Sequence, residues 1–79
     1  MSQTQTYYIL SGEGVNGTWE RVETTPLGIK QRLTRERCRG DRWAHAYTDV
    51  YRTQYDQWAA RDIETGDVRT IPDEVVGNE

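Results

Sequence analysis

The strongest pattern along the chain is the alternation in WAHAYTDVY, residues 43–51. Trp43, His45, Tyr47, Asp49 and Tyr51 fall on one side of an extended backbone, and Ala44, Ala46, Thr48 and Val50 on the other. That period of two predicts a strand. The apolar run from Tyr7 to Leu10 reads as a shorter strand, with residues 18–24 as its hairpin partner across a glycine-rich turn. Thr25 offers a side-chain oxygen as N-cap, Pro26 suits the first helical position, and Ile29 and Leu33 stand one turn apart. Together they predict a helix from Pro26 to Arg39, stopped at Gly40. Gly28 weakens its first turn by about 1 kcal/mol relative to Ala. QWAARDI (57–63) predicts another strand, ETGD (64–67) a tight turn, and VRTI (68–71) a last strand ended by Pro72.

The predicted order is therefore ββαβββ. It describes a small α+β domain over residues 1–79, with neighbouring strands joined by hairpins and one helix packed on one face of an antiparallel sheet. Residues 1–6 and 73–79 are expected to be flexible ends. One helix leaves one sheet face to explain, and two arrangements satisfy the pattern. Ala44, Ala46 and Val50 can lie under the helix, leaving Trp43, Tyr47 and Tyr51 on the open face beside Trp19 and Trp58. Alternatively the aromatics form the core and the small residues face water.

Composition adds that the core is thin. A chain of 79 residues buries only about 60–65% of its unfolded surface. Thirteen Ile, Leu and Val are joined by three Trp and five Tyr with no Phe, so buried volume leans on rings that carry a polar edge. Cys38 stands alone and forms no internal disulfide, and one Cys with one His makes no zinc set without carboxylates. MSQTQTYYIL has neither a basic n-region nor a long apolar run. The expectation is a cytoplasmic protein with no signal peptide and no membrane partner.

Net charge is −3, unevenly spread: −2 over residues 1–27, +4 over 28–42 and −5 over 43–79. A polarised surface steers charged partners. On the helix, Arg32, Arg35, Arg39 and Arg42 form one stripe, with Lys30 and Arg37 nearer the Ile29 and Leu33 face. Such a ridge suits phosphates, with Trp43 or Tyr47 stacking on bases, or else it is a solvated face with Arg32 and Glu36 as an i, i+4 pair. The acidic remainder can present carboxylates to a Lys/Arg-rich groove in place of phosphates, or simply aid solubility.

Two motifs are set aside. Gly12, Gly14 and Gly17 have G-x-G-x-x-G spacing, but the dinucleotide fingerprint must open a helix and here a strand follows. The glycines read as a hairpin loop, and no cofactor is expected. His45 and Cys38 belong to no recognisable nucleophile and base set, so no enzyme is expected.

A one-domain acidic chain of this length and order, dense in Trp, Tyr and Arg without a catalytic set, resembles the small anti-defence proteins of phages and mobile elements, anti-CRISPR proteins among them. These proteins share no motif, so no functional residue carries over. The resemblance implies an inhibitor in the host bacterial cytoplasm that binds a nucleic-acid-handling complex of CRISPR type and blocks its DNA or RNA binding. On that reading the contact surface comprises Asp49, Tyr51, Tyr55, Asp56, Trp58, Asp62, Glu64 and Asp67. Two alternatives stand beside it: a small nucleic-acid binder using the arginine helix, and a structural homodimer subunit.

Overall fold

The polar sequence of residues 18–24 pairs with the apolar strand before it along its whole length, and that hairpin seeds one antiparallel sheet. The strands are β1 (Gln5–Ser11), β2 (Thr18–Thr24), β3 (Ala44–Arg52), β4 (Trp58–Asp62) and β5 (Val68–Ile71), in the order β2-β1-β3-β4-β5. Helix α1 (Pro26–Cys38) joins β2 to β3, and a single turn, α2 (Asp73–Val76), follows β5. This computed structural model describes residues 3–12, 17–38 and 44–77. The loop glycine Gly14 and the expected helix stop at Arg39 and Gly40 lie outside them, as do Arg42 and Trp43. The α+β class and the ββαβββ order are as the sequence predicts, with α2 as an addition.

One connection differs from the expected chain of hairpins. β3 pairs with β1, not with β2, so the chain crosses over β1 through α1 to reach it. Polarity explains the choice. β1 is buried at four consecutive positions, Tyr7 to Leu10, and needs a neighbour on each side and cover on each face. β2, with Glu20, Arg21 and Glu23 exposed, suits an edge.

The crossing lays Ile29 and Leu33 on Tyr7 and Ile9 of β1 and on Ala44 and Ala46 of β3, with Val22 and Ile63 at the margin. The alanines let the helix approach closely. Its start is fixed by Thr25, whose Oγ1 accepts from Gly28 N–H at 3.0 Å while its carbonyl accepts from Ile29 N–H at 2.9 Å. Gly28 answers a spatial demand, since a Cβ there would lie 2.2 Å from Thr24 Oγ1.

The second face holds Tyr8, Leu10, Tyr47, Ala60 and Ile71, walled by Trp19, Val50 and Trp58. It is not open along its length, because Val75 and Val76 pack on it and α2 reaches β2. Within the segments expected to be flexible ends, Gln5 and Thr6 pair with Thr24 and Glu23, and Val75 and Val76 pack on the second face.

The strict alternation expected of β3 breaks at a bulge between Thr48 and Tyr51, where Asp49 adopts φ 57°. The extra residue moves Val50 to the Tyr47 face and turns Tyr51, opposite Ala59, toward the helix side. Asp tolerates this left-handed conformation better than most residues.

Leu33 is 1% exposed and Leu27, on the same helix, 66%. Leu33→Ala is expected to cost about 3 kcal/mol in urea unfolding and Leu27→Ala less than about 0.5 kcal/mol. Thr25→Ala should cost about 1 kcal/mol through loss of the cap.

Candidate binding site

The β3–β4 hairpin closes through a tightly bonded turn. Thr53 N–H donates to Gln57 O at 2.7 Å, Asp56 N–H to Thr53 O at 3.0 Å, and Thr53 Oγ1 accepts from Tyr55 and Gln57 N–H, both at 3.3 Å. Asp56 takes φ 63°, which Asp accepts readily. The turn therefore holds Tyr55 outward, 75% exposed. Beside it, Arg52 lies 4.8 Å above the Trp58 ring centroid and pairs with Asp56 at 3.1 Å and Asp73 at 3.8 Å. Tyr51, Tyr55, Asp56 and Trp58 are thus at one end of the sheet, and Asp73 of α2, absent from the predicted surface, joins them.

Asp62, Glu64 and Asp67 are elsewhere, at the β4–β5 turn. Asp62 is 3% exposed: Oδ1 accepts from Glu64 N–H at 2.7 Å and Thr65 N–H at 3.2 Å, and Oδ2 accepts from His45 Nδ1 at 2.8 Å. Glu64 is gripped by Arg37 through two bonds of 2.7 and 3.2 Å, and the same guanidinium donates to Ala44 O at 2.6 Å. These two carboxylates bind the molecule to itself. His45, Asp62 and Glu64 bring ligand atoms within 4.8 Å of one another. The carboxylates are nevertheless engaged by His45, two backbone N–H groups and Arg37, so the cluster is a closed ion-pair network. Nothing in the sequence marks the Arg37–Glu64 pair, although Asp62 followed by Glu64 and Thr65 is a legible Asx-turn signal.

One member of the arginine stripe, Arg32, is likewise engaged. Arg32 donates to Glu20 at 2.7 Å and to Glu36 at 3.0 Å, and these bonds, Glu36 first, raise its pKa above the ordinary value. Arg35 is exposed on the outer helix face, and Tyr47 belongs to the opposite sheet face, so the two do not share one surface. Arg39, Arg42 and Trp43 lie outside the described residues.

Tyr47 instead borders an open cavity of about 580 Å³ on the second face, lined also by His45, Asp62, Thr65, Asp67, Val68 and Arg69. Arg69 Nε donates to Tyr47 Oη at 3.1 Å, and the Trp19 and Tyr47 rings meet at 5.5 Å with a 55° tilt.

Comparison with protein-family models, curated proteins and solved structures returns no match. Among the described residues no helix is long and apolar enough to cross a membrane.

The hydrogen bond from Arg37 holds Glu64 below its ordinary pKa of 4.5. A depressed carboxylate stabilises the fold above its unfolded value, and that contribution is lost as pH falls through the lower folded value. Glu64→Gln should therefore lower Tm at about pH 6 and make progressively less difference toward about pH 3, read by thermal melts of both proteins.

Proposed function

We propose that the chain is a binding protein, not an enzyme, that docks the end of its β3–β4 hairpin into a Lys/Arg-lined groove of a nucleic-acid-handling protein and excludes the DNA or RNA. The observation that carries this reading is the turn at Thr53–Gln57. It holds the backbone of Tyr55 at the tip of the hairpin, next to Asp56, with the side chain 75% exposed. Interface energy concentrates in aromatic anchors, and an anchor already held in place loses less freedom on binding. The carboxylates around it favour a cationic groove and speed encounter with it. In format the chain resembles anti-CRISPR proteins, which supports a CRISPR-type complex as the target.

The refined contact set is Tyr51, Tyr55, Asp56, Trp58 and Asp73, with Asp49 on the neighbouring bulge. Direct nucleic-acid binding by α1 is the weaker reading, because Arg32 and Arg37 are committed to carboxylates.

The test measures target-DNA binding by a CRISPR effector complex in the presence of this protein. Inhibition is expected to weaken at least about tenfold with Tyr55→Ala at unchanged Tm, and association to slow with Asp56→Asn, which keeps the turn conformation. Full inhibition by Tyr55→Ala, or steep salt-sensitive binding of DNA or RNA by the protein alone, overturns the proposal.

A further inference from the structure

β2 is the longer of the two edge strands. It stands at one end of the order β2-β1-β3-β4-β5, and among the described residues only β1 pairs with it. Along its other side the backbone presents alternate N–H and C=O groups, and such edges recruit a further strand unless something opposes it. At the far edge β5 has four residues and is stopped by Pro72, whereas β2 has seven and contains neither Gly nor Pro.

The charges on β2 decide which pairings that edge allows. Two copies of the strand meeting across a two-fold axis run antiparallel, and paired residues share a face, so every such register is centred on one residue. Centring on Glu20, Arg21 or Glu23 sets that charge directly against its own copy, which is unfavourable. Centring on Val22 avoids all three conflicts: Val22 meets Val22, Glu20 meets Thr24, and Arg21 meets Glu23 on both sides of the axis. Registers nearer the strand ends keep at most three residues of β2 in the ladder. Arg21 and Glu23 suit the exchange, being exposed on one face and 3.7 Å apart within the strand. Val22 is half-buried at the margin of the core under α1, and a second valine beside it covers more of it. Glu20 is already neutralised by Arg32 at 2.7 Å.

We propose that the β2 edge joins a second copy of this chain, antiparallel and centred on Val22, with Arg21 of each copy opposite Glu23 of the other. The two five-stranded sheets become one continuous sheet carrying both α1 helices on the same face. β1 separates this edge from the β3–β4 hairpin, so the joining is independent of the docking proposed above.

Sedimentation of the whole protein from about 10 µM to about 1 mM, at low and constant ionic strength, tests it. A shift from one copy to two is expected, with a Kd of about 100 µM for so small an interface. Amide chemical shifts that change with concentration should centre on residues 20–24. Arg21→Glu and Glu23→Arg should each weaken association at least about tenfold, because each sets like charges opposite one another at both pairs. An equimolar mixture of these two variants again places a carboxylate opposite a guanidinium at each pair and should dimerise near the original strength. The double variant Arg21→Glu/Glu23→Arg keeps the ion pair within the strand and should do the same, which serves if a single variant does not fold. A monomer at about 1 mM, shifts centred elsewhere, dimers unaffected by the single variants, or no recovery in the mixture and the double variant overturns the proposal.

Discussion

The fold depends on covering β1 from both sides. Tyr7, Tyr8, Ile9 and Leu10 are all buried, and since successive strand residues face opposite ways, this strand needs a layer above and a layer below. Among the described residues there is one helix longer than a single turn. The second layer is made from Trp19, Val50 and Trp58 leaning over the sheet and from Val75 and Val76 of the short turn after β5. The crossing of α1 over β1 and the return of the C-terminal segment toward β2 are two answers to the same demand. They also make the two ends of the sheet different, one closed by the β3–β4 turn and the other opening on the Tyr47 cavity.

Charge follows the same economy. The sequence segregates basic residues into the helix and acidic ones into the last three strands, a pattern that suggests a polarised surface. Folding brings part of it together. Arg37 meets Glu64 and Arg32 meets Glu20, so helix cations dock onto acids from the edge strand and from the β4–β5 turn. Exposed pairs of this kind add little stability singly. Arg37 does more by also binding Ala44 O, which ties the end of α1 to the start of β3. What remains for a partner is smaller than the segment charges suggest: at the β3–β4 end Arg52 pairs with both Asp56 and Asp73, which leaves a net charge of about −1 beside Tyr55.

The candidate surfaces show how far residue type alone can go. Asp56 and Asp62 look alike in the sequence, each close after a tyrosine or tryptophan. In the structure Asp56 lies on an exposed turn, whereas Asp62 accepts two backbone N–H groups and His45 from a buried position. Likewise Tyr47 and Tyr51 share a parity, and the bulge at Asp49 sends them to opposite faces. Parity arguments hold only while the ladder is regular, and one left-handed residue ends them.

The sequence by itself determined the five strands and α1, though not α2, because each of those rests on local chemistry: apolar and alternating runs for the strands, Thr25 and Pro26 for the helix start, and Gly66 at φ 82° for the last turn. It also supplied the small residues that let α1 sit close to β3. Only the tertiary structure decided that β3 pairs with β1, that the last turn covers the second face, and which charges bind inward. Those choices depend on contacts between residues far apart in the chain, such as Arg37 with Glu64 and Val75 with the Tyr8 face. Their energies come from burying one surface against another, which no local pattern encodes.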